Sequence, residues 1–256
     1  MGDDKRLSAL GHFSELRGRL IRSIIVVVIT ATISFIFAKQ IFAILILPIT
    51  PLLVDGDANL IYIGMTEMVG TYMKVSLAGG IILAMPFLVY QLIMFISPAL
   101  TRKEKRHVFL ILPWIALMFL GGVVFGYFIL VPPATQFLLT WGSDIAAPQI
   151  KIDSYISVVT RLLLAIGIAF EMPVVTTFLS RIGVVTPKWM ASKRKVAIIF
   201  AFILAAIITP TFDPINQSLV AIPIIVLYEM GIWLAKLVQR KVPKVVESVI
   251  DPASQD

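Results

Sequence analysis

The sequence predicts an all-α polytopic membrane protein with six transmembrane helices and both termini in the cytoplasm. First, 59% of its 256 residues are hydrophobic and only 14% are charged, which is more apolar surface than one soluble core can bury. Second, the chain contains six apolar runs close to the length of about 20 residues that crosses a bilayer as a helix. Third, the basic residues gather in alternate loops, as in other membrane proteins. We therefore treat residues 1–256 as a single integral membrane domain.

The N-terminal segment, residues 1–19, is predicted to be a cytoplasmic amphipathic helix. Basic side chains occupy its polar faces, and apolar side chains recur every three or four residues. The apolar positions are Leu7, Leu10, Phe13, Leu16 and Leu20. The apolar run that follows has no small-x-small cleavage site, so we interpret it as a retained first helix and not as a secretory signal. The lack of a transit peptide favours a prokaryotic inner membrane over a thylakoid.

Six apolar segments are the predicted transmembrane helices, and they cover residues 20–38, 69–96, 108–130, 154–180, 196–209 and 218–235. The last two have 14 and 18 residues. At about 1.5 Å per residue they cover about 21 and about 27 Å, against a hydrocarbon core of about 30 Å. We therefore expect both to lie in a thinned or wet region of the bilayer. The alternative, in which flanking turns extend both helices, is equally compatible with the sequence.

Basic residues orient these helices, since 18 of the 22 lysines and arginines lie on one side. They precede the first span, lie between the second and third and between the fourth and fifth, and follow the sixth. The positive-inside rule makes that side cytoplasmic, including the tail at 236–256. The net charge of +7 therefore reflects topology and contact with anionic lipid, and gives little support to nucleic-acid binding.

Two glutamates at the predicted cytoplasmic face are candidate binding residues. Glu15 in FSELRGRL and Glu104 in TRKEKR each lie in a basic cluster that borders a long apolar run. A carboxylate accepts a guanidinium through two parallel charge-assisted hydrogen bonds, so these acids could receive arginines from a partner. For Glu15 alone, the simpler interpretation is a carboxylate that only offsets its neighbouring arginines.

A third glutamate, Glu171 in IAFEMP, lies inside the predicted fourth span. An ionised carboxylate at the bilayer centre costs at least about 2.5 kcal/mol on insertion scales, so a functional role is the default interpretation. Pro173 follows two residues later. Because proline has no N–H, it frees the carbonyl of Ala169 and promotes a kink beside the acid. We expect Glu171 to face the helix bundle or water.

Enzyme chemistry and cofactors find little support in the sequence. There is no cysteine, and the two histidines, His12 and His107, lie in polar segments beside basic residues. A metal site would need further ligands. The chain also has no GxSxG elbow, no HExxH and no GxxxxGK(S/T) phosphate loop. We therefore predict that the protein is not an enzyme, takes no cofactor and works through binding energy, a partner or the membrane potential.

Four ordered motifs resemble the TatC family, the core subunits of the twin-arginine protein translocase. They are HFSELRGRL, FISPALTRKEKR, AFEMP and ITPTFDPINQSLVAIP, the last followed by YEMG, and the likeness covers nearly the whole chain. It implies a concave, glove-shaped helical bundle that binds the twin-arginine signal peptides of folded export substrates. It also implies recruitment of the single-span subunits TatA and TatB, transport driven by the proton-motive force, and a homo-oligomer within the receptor complex.

The resemblance assigns roles to individual positions. It implies signal-peptide binding by Glu15, Glu104, Arg17 and Phe95, an intramembrane functional site at Glu171 and Pro173, contact with TatA or TatB at Thr209 and Gln217, and structural or outer-face positions at Pro48, Lys74, Pro98 and Asp213.

The alternative function is a proton- or ion-coupled small-solute transporter that uses Glu171 as its coupling carboxylate. Such folds often contain inverted repeats or paired broken helices, and residues 1–130 and 131–256 show no convincing repeat. A passive assembly scaffold is a third interpretation. A peptide containing RR, compared with its KK counterpart, discriminates among the three, because binding that ignores the change favours the alternatives.

Overall fold

The computed structural model describes residues 3–51, 59–96, 102–141, 145, 149–181, 183–209 and 213–238. Within these ranges the side chains of residues 3–12, 59, 96 and 102–111 lie outside the description. Helices occupy most of the described chain, which confirms the predicted helical membrane class. The described residues add two short strands that the sequence does not predict.

The elements in chain order are α1 (Asp3–Ile36), α2 (Ala38–Ile46), β1 (Asn59–Ile61), α3 (Glu67–Ile96), α4 (Arg102–Phe125), a π-helical turn (Gly126–Leu130), α5 (Val131–Thr140), β2 (Gln149–Lys151), α6 (Ile152–Phe170), α7 (Met172–Arg181), α8 (Pro187–Ser192), α9 (Arg194–Ile208) and α10 (Pro214–Val238).

Five stretches of the described chain are long and apolar enough to cross a membrane. They are Phe13–Ile36, Glu67–Phe95, Leu112–Thr140, Ile152–Arg181 and Pro214–Val238. The predicted fifth span, residues 196–209, lies in α9. That helix has 15 residues and covers about 22 Å, which is less than the thickness of the hydrocarbon core. The protein is a multi-pass membrane protein, while the count of six spans and the orientation of the termini stay predictions.

The first helix differs from the sequence prediction. The sequence predicts one helix for residues 1–19 and another for 20–38, whereas α1 runs without interruption over Asp3–Ile36. The first proline of the chain is Pro48. Proline is the strongest helix breaker. Because no proline separates the amphipathic segment from the apolar one, a single helix can continue through both.

Two compact units make up the chain, Met1–Ile168 with Ile208–Pro210 and Ala169–Ile207 with Thr211–Asp256. In the first unit, small residues bring α1 and α3 close together. A Cβ added at Gly80 would lie 2.5 Å from the Cα of Ala31. The Thr30 hydroxyl donates to the Gly80 carbonyl oxygen at 2.8 Å. Close backbone approach of this kind is how helices associate in lipid, where hydrophobic burial gives no driving force between them.

Two tyrosines of the first unit bind the end of α2. Tyr127, in the π-helical turn, donates to the Ile44 carbonyl oxygen at 2.7 Å. Tyr155, near the start of α6, donates to the Leu45 carbonyl oxygen at 2.8 Å. The Ile44 carbonyl oxygen also accepts the Leu47 amide at 3.1 Å, so Tyr127 adds a second bond there. The two hydroxyls thereby attach the π-helical turn and α6 to the end of α2.

The two strands belong to the same unit and form a parallel pair, in which Leu60 lies opposite Ile150. They join two segments that lie in separate loops between the predicted spans, residues 39–68 and 131–153. A strand of three residues carries too little periodicity to be recognised in a sequence.

The second unit is built on the contact between α7 and α10. A Cβ added at Gly231 of α10 would lie 2.6 Å from the Thr176 Oγ1 and 3.5 Å from the Pro173 Cα. On the same helix Ile232 packs against Met190 of α8. The glycine therefore allows α7, with its proline, to pack closely on α10.

Candidate functional site

Glu15 lies on α1 and holds an arginine of its own helix. Arg19, one turn further on, donates to the Glu15 Oε1 from Nε at 3.0 Å and from Nη2 at 2.6 Å. The two residues meet because helical positions four apart share a face. The Glu15 side chain is 37% exposed and the Arg19 side chain 17%. The carboxylate is therefore partly open to solvent, whereas the guanidinium is largely covered.

A buried glutamine binds the other side of that guanidinium. Gln91, near the end of α3 and 7% exposed, accepts a hydrogen bond from the Arg19 Nη1 through its Oε1 at 3.0 Å. A buried amide without a partner would cost more than such a bond contributes. Arg19 therefore connects α1 to α3 while it also binds Glu15.

Glu15 borders a polar depression of about 420 Å³ on α1, whose lining residues are Ser14, Glu15, Gly18, Arg19 and Arg22. Among the described residues, no atom beyond the backbone of the same helix and the two chain neighbours lies within 4 Å of the position that a Cβ would take at Gly18. Arg17 is exposed on another face, because two residues rotate an α-helix by about 200°. The depression thus presents one acidic and two basic side chains.

The second predicted acid, Glu104, lies in the first turn of α4. Its side chain lies outside the described residues, as does Pro98 as a whole. Phe95 is half-buried in the last turn of α3, four residues after Gln91. The structure therefore brings Glu15 to the end of α3, and the joint action of Glu15 and Glu104 stays a prediction.

Glu171 separates α6 from α7 and is 4% exposed. Its carbonyl oxygen accepts the Val175 amide at 2.9 Å, so helical hydrogen bonding resumes immediately. Pro173 is buried and has no amide hydrogen to donate, which accounts for the interruption beside the acid. The function of this intramembrane pair stays a prediction.

Lys74 belongs to a polar cluster of the first unit. Its Nζ donates to the Asp153 Oδ1 at 2.6 Å and to the Ser157 Oγ at 3.1 Å. The Thr71 hydroxyl donates to the same Asp153 oxygen at 3.2 Å. These bonds join α3 to the start of α6, so Lys74 makes a structural contact. Pro48 is half-buried in the turn that follows α2.

Asp213 and Gln217 organise the start of α10. The Asp213 Oδ1 accepts the Asn216 backbone amide at 2.7 Å, which is the geometry of an N-cap. Gln217 donates from Nε2 to the Phe202 carbonyl oxygen at 2.9 Å and so links α10 to α9. Thr209 is 7% exposed.

An apolar groove lies along α9 next to that glutamine. It encloses about 720 Å³ and is lined by Ile198, Ile199, Phe202, Ile203, Ala206, Ile207 and Gln217. Ile199, Ile203 and Ile207 recur every four residues and are 61%, 50% and 70% exposed. An exposed ridge with this spacing suits the side chains of another apolar helix or lipid chains.

The second unit contains another carboxylate that holds an arginine. Arg194 donates to the Glu229 Oε1 from Nε at 2.6 Å and to Oε2 from Nη2 at 2.9 Å. These bonds raise the pKa of the Arg194 guanidinium, which therefore stays charged. The Glu229 side chain is 37% exposed, as is that of Glu15. Glu229 is thus a suitable reference for experiments on Glu15.

The sequence does not identify three residues that bind basic side chains in the structure: Gln91, Asp153 and Glu229. Each is a polar residue at the end of a long apolar helix or inside it. That position is the signal that could have identified them, since a polar group in such a helix requires a partner.

Comparison with known proteins gives a consistent result. The family described as Sec-independent protein translocase protein (TatC) matches residues 11–223. The Sec-independent protein translocase protein TatC of Aquifex aeolicus is 46% identical over 232 residues, which cover 90% of this chain and 95% of that protein. The corresponding protein of Carboxydothermus hydrogenoformans is 36% identical over 239 residues, with coverages of 93% and 97%. A crystal structure of the twin arginine translocase receptor TatC is similar with a TM-score of 0.79 and 44% identity, covering 90% of this chain and 100% of that one.

Proposed function

Because the chain belongs to the TatC family of Sec-independent protein translocase proteins, we propose that it is the core receptor of a twin-arginine translocation system. It binds the twin-arginine signal peptides of folded proteins at the cytoplasmic face of a bacterial inner membrane. It then organises TatA and TatB for export driven by the proton-motive force. The family is one of protein translocase components and not of enzymes, and nothing supports the small-solute transporter alternative.

The observation that carries this proposal is the way Glu15 holds Arg19. Two guanidinium nitrogens lie 3.0 and 2.6 Å from the Glu15 Oε1, so the carboxylate is already oriented for a guanidinium group. A signal-peptide arginine carries the same group. Charge-assisted bonds of this geometry discriminate arginine from lysine, because lysine is a point charge without the planar fork.

The second arginine of the pair binds Glu104, in the first turn of α4. The half-buried Phe95, at the end of α3, contacts the apolar segment that follows the arginines. Glu171 is buried within the membrane-spanning stretch Ile152–Arg181 and acts after docking. Glu15 and Glu104 thus select the arginine pair, and Glu171 acts in a later step of transport.

TatA and TatB bind along the groove on α9, whose exposed isoleucines recur every four residues. A single-span helix has a matching apolar ridge, and small or branched side chains interlock in such contacts. Gln217 lies at the edge of that groove. A hydrogen bond from its side chain to the partner helix fixes the position of that helix along the groove. Thr209 is the second position that we assign to contact with TatA or TatB.

Peptide binding to the purified protein in lipid nanodiscs tests the proposed function. A fluorescent signal peptide with RR should bind more tightly than its KK counterpart. Glu15→Gln or Glu104→Gln should weaken binding of the RR peptide by about tenfold or more, since hydrogen bonds to charged groups are worth about 1.5–3 kcal/mol.

Glu229→Gln is the matched control, because it removes a carboxylate of equal exposure that also holds an arginine. It should leave peptide affinity unchanged. Equal binding of the RR and KK peptides, or full binding after both site substitutions, would contradict the proposed function.

A further inference from the structure

We propose that Arg19 is an internal competitor of the signal peptide, so that docking exchanges one guanidinium for another on Glu15. The inference rests on the proposed function, in which Glu15 accepts one arginine of the pair. It adds a residue that sets the affinity of the site although it does not bind the ligand.

The contacts of Arg19 occupy the position that a ligand arginine requires. Its Nε and Nη2 both lie on the Glu15 Oε1, at 3.0 and 2.6 Å. A second guanidinium on that oxygen would bring two like charges within a few ångströms of each other, which is unfavourable even in a solvated site. Arg19 and the ligand arginine therefore compete for one carboxylate, and the bonds of Arg19 to Glu15 weaken when the peptide binds.

The third contact of Arg19 lowers the free-energy cost of weakening its bonds to Glu15. Its Nη1 donates to the buried Gln91 at 3.0 Å, and Gln91 belongs to α3, not to the helix of Glu15. When the carboxylate is taken by the ligand, Arg19 keeps a hydrogen-bond partner and Gln91 keeps its donor. Neither group is left buried and unpaired, which would be the costly outcome.

Competition of this kind has a specific thermodynamic signature. The contact that the ligand displaces is the same for every ligand, so Arg19 lowers the apparent affinity of RR and KK peptides by the same factor. Partly exposed pairs four residues apart on a helix are weak, and the factor should be about two to five. Removal of Arg19 should therefore tighten binding while the ratio of the RR and KK affinities stays constant.

Titration of RR and KK signal peptides against nanodisc-embedded variants tests the exchange. Arg19→Gln should tighten both peptides by about two- to fivefold with an unchanged ratio. Arg19→Lys retains the charge and should give a smaller gain, because lysine is the poorer partner of a carboxylate. Arg194→Gln is the matched control, since it removes an arginine that holds another carboxylate, Glu229, outside the depression. It should change affinity by less than about 1.5-fold at physiological salt, where screening is strong.

Three results would overturn the proposal: weaker RR binding by Arg19→Gln, a gain no larger than that of Arg194→Gln, or a changed ratio of RR to KK affinity. The first and third would make Arg19 a positioning residue for Glu15, and the second would reduce its effect to net charge. A failure of the proposed function looks different, because Glu15→Gln would then leave peptide binding of the otherwise unchanged protein intact.

Discussion

Lys74 and Asp153, which are 79 residues apart in the sequence, form an ion pair with 2.6 Å between Nζ and Oδ1. The same carboxylate oxygen accepts the Thr71 hydroxyl at 3.2 Å, so two side chains of α3 converge on the start of α6. The contact joins the ends of two membrane-spanning stretches, and it explains a lysine at the edge of an apolar helix.

Lys74→Ala should lower the free energy of unfolding by about 1 kcal/mol, because the pair is only partly exposed and has additional hydrogen bonds. The thermal unfolding midpoint in detergent measures this. The exchanged pair Lys74→Asp with Asp153→Lys should recover stability relative to either single reversal. Lys39→Ala, at another exposed lysine, is the control. A double variant less stable than both single variants would argue against the pair.

Gly80→Ala should destabilise the contact between α1 and α3 by about 1–3 kcal/mol, as expected for overpacking. The new Cβ would lie 2.5 Å from the Ala31 Cα, and backbone cannot yield as a flexible side chain can. Gly70 lies on the same helix, and no described atom outside that helix's backbone lies within 4 Å of an added Cβ. Gly70→Ala should therefore be neutral or slightly stabilising. Equal thermal midpoints for the two variants would rule out the close approach.

Gly231→Ala should destabilise the packing of α10 on α7, because the new methyl group would lie 2.6 Å from the Thr176 Oγ1. That hydroxyl already donates to the Met172 carbonyl oxygen at 2.7 Å and cannot move away freely. Thr176→Ala should rescue the variant, and the double-mutant cycle should give a coupling of about 0.5–3 kcal/mol. If the effects of Gly231→Ala and Thr176→Ala on stability are additive, the destabilisation does not arise from contact between these two side chains.

Glu171→Ala should abolish export of a twin-arginine reporter while the protein remains in the membrane at near-normal levels. The side chain is buried, and an ionisable group in a membrane-spanning stretch is costly, so its presence indicates a function. Glu171→Gln keeps the shape and removes the ionisable carboxyl group, and it should fail in the same way. Parallel loss of protein level and export would instead indicate a purely structural role.

Ile203→Trp should reduce the crosslinking of TatA or TatB to α9 by at least about threefold, since the larger side chain would fill the groove. Ile222→Trp, at a position of α10 that is 57% exposed and outside the groove lining, should have little effect. Quantitative crosslinking from cysteines introduced at the groove edge measures both. Equal reductions would mean that the partner does not occupy the groove.

The sequence alone predicts much of the architecture, because membrane helices satisfy their backbone locally and are visible as apolar runs. Pro173 likewise marks the interruption at Glu171. In contrast, the sequence does not reveal α2 or the β1–β2 pair. The α2 segment is apolar but has only nine residues, too few to be recognised as a span, and three-residue strands carry too little periodicity.

The candidate site is predictable only in part. FSELRGRL identifies Glu15 as an acid among arginines, yet it does not tell which arginine it holds. The bond from Arg19 to Gln91 spans 72 residues and depends on how α1 packs against α3, which small residues such as Gly80 determine. Tertiary packing of this kind cannot be read from the periodicity of either helix.

Site-specific photo-crosslinking shows whether Glu15 receives the arginine pair of a signal peptide. A photoreactive group placed beside the arginine pair of a signal peptide should form its adduct within residues 13–22 of α1, as mapped by mass spectrometry. The adduct should disappear for the KK peptide and for Glu15→Gln, and persist for Glu229→Gln. An adduct outside α1 and the start of α4, or one that survives replacement of RR by KK, would contradict the assignment of Glu15 as a receptor for the arginine pair.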